Sequence, residues 1–174
     1  LAGFFFQGFL GPVQNSAQLA AAGDIQLTSD WISRDLAGGP MGNNLGLSEF
    51  SPSLASVTIG SSPGYPGDNS LTITYHTWPA LTSTTPENHT ITYRLEDMDA
   101  TDDDIQLVRR EETGPPIVVA KHIVDASHVV FSGSAQSSPG VASSGLNLNI
   151  TSTLEGSTGT VRRQASVVFT LPRS

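Results

Sequence analysis

The chain has 174 residues, with 16 acidic and 8 basic side chains, a formal net charge of −8 and no cysteine. The length indicates one domain, the lack of thiols excludes disulfides and thiolate metal sites, and the negative charge argues against binding to nucleic acid or to anionic lipid. Only 14% of the residues are charged, whereas glycine and proline number 17 and 11, a composition typical of turn-rich extracellular β proteins.

The chain opens with an apolar stretch, LAGFFFQGFLGPV (1–13), that glycine and proline interrupt. This stretch is shorter than the roughly 18 apolar residues that indicate a complete transmembrane helix, so we interpret it as the end of a longer hydrophobic helix. A secretory signal peptide is the alternative, although neither a basic n-region nor a small-residue cleavage site is visible. A buried arm of the globular core is a further alternative for its phenylalanines.

The next segment, VQNSAQLAAAGDIQLTSDWISRDLA (13–37), has the only long helical pattern. Its expected buried stripe comprises Ile25, Ser29, Ile32 and Leu36, flanked by the pair Leu27 and Trp31. Asp30 and Arg34 are spaced as an ion pair along the helix. The sequence Gly38-Gly39-Pro40 predicts the end of the helix.

Beyond residue 40 the helical period does not return. Residues 61–70, SSPGYPGDNS, have the composition of a turn and follow one short candidate strand, ASVTIG. Alternating, β-branched segments then occupy 71–78, 89–96, 104–111, 116–133, 146–154 and 160–172. Their expected inward side chains include Leu71, Ile73 and Tyr75 in the first segment and Ile91, Tyr93 and Leu95 in the second. Turn signals separate the segments at hairpin distances, which predicts an antiparallel sheet.

These elements predict an α+β fold, in which a long N-terminal α-helix packs on an antiparallel β-sheet. The helix needs a partner for its apolar stripe, and the inner face of the sheet is the only one that the sequence offers. The predicted organisation is an N-terminal helix over 1–38, hydrophobic over 1–13 and amphipathic over 14–38, followed by an antiparallel β globular domain over 39–174.

The order of these pieces resembles the type IV pilin-like proteins, in particular minor pilins and pseudopilins with a prepilin-type N-terminal helix. Four stretches carry the resemblance: DIQLTSDWISRDLAG, ITYRLEDMDATDDDIQLVRRE, IVVAKHIVDASHVVFSG and TVRRQASVVFTLPRS. The resemblance implies a pilin-like fold. It also implies that roughly ten or more residues precede Leu1, because a spanning helix needs about 20 apolar residues.

The resemblance further implies a structural subunit of a type IV pilus or related secretion filament, and no enzyme. The subunit would be anchored in the inner membrane before assembly and would then lie in an extracellular filament at the cell surface, with other pilin subunits as its partners. The helix residues expected in the filament core are Phe4, Phe5, Phe6, Phe9 and Leu10. A kink or a non-helical stretch is expected around Gly8, Gly11 and Pro12, because proline removes a backbone donor.

The acidic run EDMDATDDD (96–104) is the one candidate for a metal site. Asp99, Asp102 and Asp104 could supply oxygen ligands to Ca²⁺, although the spacing is not that of an EF-hand. A solvated hairpin turn is the alternative, because runs of charge usually face solvent. No other cofactor is indicated.

Histidine and serine patterns do not indicate an enzyme. The four histidines have no helical spacing of a zinc site, and His122 and His128 could at most share one face of a sheet. The serines lack a nucleophile-elbow motif, and no glycine-rich phosphate loop precedes a helix.

Two tripeptides match the N-glycosylation pattern. They are Asn88-His89-Thr90 and Asn149-Ile150-Thr151, so Asn88 and Asn149 are the candidate acceptors. Asn149 lies in an expected strand, which makes it the poorer acceptor.

A monomeric extracellular β-sandwich that binds a ligand or a partner is the alternative function. On this alternative, residues 1–37 form a linker or a docking helix.

Overall fold

The computed structural model of the chain describes residues 2–38, 53–77, 85–98, 105–112, 114–133, 145–156 and 159–170, and within the helix it describes the side chains of 16–37. One α-helix, α1, spans Ala2–Gly38. The strands are β1 (Ser53–Ser62), β2 (Tyr65–Thr77), β3 (Glu87–Glu96), β4 (Ile105–Glu111), β5 (Ile117–Ile123), β6 (Val129–Gly133), β7 (Gly145–Gly156) and β8 (Gly159–Thr170).

The described strands form two antiparallel sheets. The first has five strands in the order β1-β2-β3-β4-β5, and the second has three in the order β6-β7-β8. Both sheets contribute to one core, in which Ile73 and Tyr93 of the first sheet and Phe131 and Leu148 of the second are buried. The predicted inward side chains of 71–75 and 91–95 are all buried, which confirms the predicted alternation of these two strands.

The predicted fold class, a long N-terminal α-helix packed on an antiparallel β-sheet, is wrong. Among the residues with described side chains, 66% lie in strands and only 22 lie in the helix, so the protein is mostly antiparallel β. The prediction assumed a single sheet whose inner face only a helix could cover. A second sheet covers that face instead, and α1 packs against strands of both sheets, β5, β7 and β8.

The second sheet arises where the segment 116–133, predicted as one strand, divides in two. Between β5 and β6 the chain forms a 3₁₀ turn over Ala126–His128, capped by Asp125. The backbone N–H of Ser127 donates to Oδ1 of Asp125 (2.7 Å). The backbone N–H of His128 donates to the carbonyl oxygen of Asp125 (2.9 Å). This capped turn ends the first sheet and starts the second.

The predicted turn over 61–70 is much shorter than expected. Only Pro63 and Gly64 form the turn, with Gly64 at φ 81°, and β2 begins at Tyr65. The register between β1 and β2 shifts here, because Gly60 pairs with Ser70 whereas Ser62 pairs with Tyr65. The side chain of Asn69 bridges this irregularity, since its Oδ1 accepts from the N–H of Ser62 (2.7 Å) and its Nδ2 donates to the carbonyl of Tyr65 (3.2 Å). The turn-like composition of 61–70 therefore corresponds to a two-residue turn followed by an irregular start of β2.

The buried stripe of α1 differs from the predicted one. It comprises Ala17, Ala21, Asp24, Thr28, Ile32, Asp35 and Leu36. The predicted members Ile25 and Ser29 are only half-buried, and Leu27 is exposed. Two aspartates and a threonine therefore lie on the buried face of α1, at positions that the predicted stripe leaves out.

The predicted ion pair along the helix does not form either. Asp30 instead accepts a hydrogen bond from Nε2 of Gln26 (2.9 Å). The guanidinium of Arg34 lies over the ring of Trp31, 5.9 Å from its centroid. An exposed ion pair contributes little, so a contact of the guanidinium with an aromatic face is a comparable alternative.

Candidate functional site

A cluster of polar side chains joins the buried face of α1 to both sheets. We call it the polar junction, and it comprises Asp24, Thr28, Trp31, Asp35, Tyr93, Arg109, Glu111, His122 and Ser152. Its members are positioned by α1, β3, β4, β5 and β7. Buried polar groups need hydrogen-bond partners, so the bonds between these side chains show whether the cluster is structural or catalytic.

An ion pair between Asp35 and Arg109 forms the centre of the first half of the junction. Nε of Arg109 donates to Oδ2 of Asp35 (2.6 Å), and Nη2 donates to Oδ1 (2.9 Å), so the pair is bidentate. The two side chains are 1% and 2% exposed. The hydroxyl of Tyr93 also donates to Oδ2 of Asp35. Paired and hydrogen-bonded in this way, both charges are tolerated in the interior.

Two further groups complete the environment of Arg109. Nη2 also donates to Oε1 of Glu111 (2.5 Å), and the ring of Trp31 lies 4.7 Å from the guanidinium carbon. The strand register explains the arrangement, because Tyr93 and Arg109 are directly paired across β3 and β4. Both side chains therefore point to the same face of the sheet, towards α1.

The surroundings of Tyr93 and Arg109 raise the pKa of both side chains. Burial, together with the neighbouring Asp35 carboxylate, raises the pKa of Tyr93 far above its ordinary value. Burial would lower the pKa of Arg109, but the bonds and charge of Asp35 outweigh it and the pKa is raised. The phenol and the guanidinium thus stay protonated, which suits a fixed structural link and not proton transfer.

Asp24 forms the centre of the second half. Its Oδ2 accepts from the backbone N–H of His122 (3.2 Å), from Nδ1 of the same residue (2.8 Å) and from Oγ of Ser152 (3.0 Å). His122 lies in β5 at the edge of the first sheet, and Ser152 lies in β7 of the second. One carboxylate oxygen of the helix therefore links the two sheets.

Thr28 adds a bond to the same strand edge. Its hydroxyl lies 2.8 Å from the carbonyl oxygen of Asp24 and 3.1 Å from that of Val119 in β5. An edge strand presents unpaired backbone groups, and α1 satisfies two of them with side chains. Asp24 and Thr28 therefore cover part of the β5 edge.

The arrangement of Asp24, His122 and Ser152 is not that of a hydrolase triad. In such a triad the serine hydroxyl donates to the imidazole, which the carboxylate holds from the other side. Here the serine and the imidazole both bond to the same carboxylate oxygen. The imidazole is therefore not placed to take the serine proton, and the cluster holds α1 in place.

The candidate calcium ligands Asp99, Asp102 and Asp104 lie outside the described residues, so both interpretations of the acidic run stay predictions. Within the described ranges, no group of three or more His, Asp or Glu side chains is placed to hold a metal ion. His122 bonds to Asp24, and His128 closes the 3₁₀ turn.

The predicted filament-core side chains of Phe4, Phe5, Phe6, Phe9 and Leu10 lie outside the described side chains, although their backbone belongs to α1. The predicted helix break is at Gly8, Gly11 and Pro12, and α1 is helical through all three. A non-helical stretch there is therefore not found, whereas a kink at Pro12 stays a prediction.

Sequence reasoning missed the polar junction. Asp24 and Asp35 lie outside the predicted apolar stripe, and charge is rarely buried without a partner, so the helical pattern alone gives no reason to expect them in the core. A signal was present in β4, where Arg109 follows the inward Leu107 by two residues and so falls on the core face. A buried arginine requires an acidic partner, which here is Asp35 of α1.

A separate cluster of ion pairs around Glu96 lies on the outer face of the first sheet. Arg110 donates to Glu96 from Nε (2.5 Å) and Nη2 (2.6 Å), and Nε of Arg94 also donates to Glu96 (2.6 Å). The Arg110 bonds, opposed by partial burial and reinforced by Arg94, lower the pKa of Glu96 to about 2.

A lowered pKa in the folded state stabilises the protein above the ordinary value of 4.5, and this contribution disappears as the pH falls from 4.5 to about 2. We therefore expect the difference in urea midpoint between the wild type and Glu96→Gln to shrink over this range. Glu87→Gln, at an exposed carboxyl of the same strand, serves as the control. A difference that stays constant down to pH 2 would contradict the assignment.

Comparisons of the chain with protein-family models, with curated proteins and with solved structures found no match. The resemblance to pilins therefore stays a prediction. Within the described residues, no helix has both the length and the apolar character needed to cross a membrane.

Proposed function

We propose that the chain is a structural subunit that assembles into a filament of the type IV pilus kind through α1. The observation that carries the proposal is the continuity of α1. The first nine residues of the chain include four phenylalanines. One helix joins this apolar sequence to a segment that the polar junction fixes in the β domain. The proposal rests on this helix and not on a pilin fold.

The two halves of α1 suit different roles. The described half is held by the ion pair of Asp35 and by the link of Asp24 to both sheets, so it is fixed to the β domain. The opening half offers phenylalanine for burial and Gly3, Gly8 and Gly11 for close approach between helices. Helix-to-helix burial in a filament core, with the β domains outside, follows from this division. Anchoring in a membrane before assembly stays a prediction.

The test is the fate of the full chain in its native source. Four serine substitutions at Phe4, Phe5, Phe6 and Phe9 would remove the apolar surface of the opening half while leaving the polar junction intact. We expect the wild-type chain in the sheared filament fraction, labelled along filaments by antibody in electron micrographs, and the fourfold variant absent from it. Leu19→Ser is the matched control, because Leu19 is 73% exposed on the same helix.

A wild-type chain found only as a soluble monomer would overturn this proposal. That result would favour the second candidate, an extracellular β-sandwich binding module. The packing of a five-stranded sheet and a three-stranded sheet around one core is the observation that favours this candidate. Circular dichroism of the fourfold variant would show whether its loss from filaments reflects assembly or unfolding.

A further inference from the structure

The two glycosylation tripeptides lie in different structural environments. Asn88 and Thr90 are on β3, two residues apart, so both side chains lie on the same face of the first sheet. That face is opposite the core, because the alternate residues Ile91 and Tyr93 are buried. Asn88 itself is exposed, near the start of its strand.

The surroundings of Asn88 leave room for a bulky polar group. The face consists of small or polar side chains in register across β2 and β3, which are Thr72 with Thr92, Thr74 with Thr90, and His76 with Asn88. None of these six is buried. A glycan is large and hydrophilic, so it needs a solvated face of this kind.

The orientation of the Asn88 amide also suits the attachment of a glycan. Nδ1 of His76 donates to Oδ1 of Asn88 (2.7 Å), which occupies the oxygen of the amide. The nitrogen, Nδ2, makes no hydrogen bond to any described residue. The hydrogen bond therefore fixes the side chain with Nδ2, the atom that a glycan bonds, turned away from His76.

The second tripeptide is in the opposite situation. Asn149 lies in β7, the central strand of the second sheet, where it is paired with Val130 on one side and Ser166 on the other. The hydroxyl-bearing Thr151 is only 4% exposed. The threonine that completes the motif is thus inaccessible in the folded chain.

We propose that Asn88 is an N-glycosylation site of this protein and that Asn149 is not. The reaction forms a bond between Nδ2 of Asn88 and the anomeric carbon of a sugar. The bond from that carbon to a phosphate oxygen of the activated glycosyl donor breaks, and the phosphate-bearing group leaves as one amide proton is released. The donor is a sugar activated as a phosphate ester or diphosphate. This inference does not depend on filament assembly, because either function proposed above places the chain outside the cell.

In the proposed filament, a glycan on Asn88 would keep the surrounding part of the outer face of β2 and β3 in contact with water. Contacts between subunits would then use other surfaces.

The experiment is mass spectrometry of peptides from the full-length protein purified from its native source. We expect the peptide containing Asn88 to carry a saccharide mass and the peptide containing Asn149 to be unmodified. Thr90→Val should abolish the modification while leaving Asn88 in place, and Thr90→Ser should retain it because serine also completes the motif. Asn149→Gln should change nothing at Asn88.

An unmodified Asn88 peptide, or a saccharide found on Asn149, would overturn the proposal. Loss of the saccharide in Thr90→Ser would overturn it as well, provided that circular dichroism shows the variant folded. Failure of the filament proposal would be recorded separately, by fractionation, so the two results are distinguishable.

Discussion

Replacing Asp35 with alanine is expected to lower the free energy of unfolding by about 3–5 kcal/mol, because it leaves the buried charge of Arg109 without its bidentate partner. The hydroxyl of Tyr93 would lose its acceptor at the same time. Glu111 would remain, but it is 26% exposed and contacts only one guanidinium nitrogen. Urea denaturation followed by circular dichroism measures the loss.

The control for this prediction is Asp30→Ala, on the same helix and exposed to solvent. It should change the stability by less than about 0.5 kcal/mol. The double variant Asp35→Leu with Arg109→Met should lose less than the sum of the two single variants, because neither charge is then left unpaired. A loss under about 1 kcal/mol in Asp35→Ala would show that the pair is not a principal link between α1 and the first sheet.

The second large effect is expected at Gly133, where β6 ends. This residue has φ 127°, a conformation that side-chain-bearing residues rarely adopt, and a Cβ atom would lie 2.1 Å from the backbone oxygen of Gly145. The opposing atom belongs to backbone and cannot rotate away. We expect Gly133→Ala to lower the free energy of unfolding by at least about 2 kcal/mol, from the strained conformation and the collision together.

The matched control is the same substitution at Gly23 in α1. A Cβ atom there meets nothing within 4 Å, so the added methyl group costs no packing. Alanine is the better helix former, and Gly23→Ala is expected to raise the stability by about 0.5–1 kcal/mol. Thermal unfolding of both variants gives the sign directly. Equal effects of the two substitutions would show that the close approach between β6 and β7 is not required.

The alternation of the strands could be predicted from the sequence because it is a local property. Leu71, Ile73 and Tyr75 are buried as their period of two predicts, and so are the inward residues of β3. The pairing of neighbours was also accessible, because short connections favour antiparallel partners. The helix could also be predicted from a local property, because its period of 3.6 residues repeats over a long segment.

The division of the strands between two sheets could not be predicted from these patterns. The residues of β5 and β6 are rich in apolar and β-branched side chains on both sides of Asp125, so the sequence looks like one strand. What separates them is a capped 3₁₀ turn, which depends on a single aspartate and its bond to Ser127. Aspartate is too common in strand ends and loops for this signal to be read in advance.

The sequence by itself determined the helix, most of the strands and the inward side chains that depend on alternation, because each of these follows from a repeat within one segment. Only the tertiary structure decided that the aspartates of α1 are buried. Asp35 is stable in the interior because Arg109 and Tyr93 converge on it from β4 and β3, and Asp24 because His122 and Ser152 reach it from different sheets. A buried charge is tolerated only with its partners, and these partners are 58 to 128 residues away along the chain.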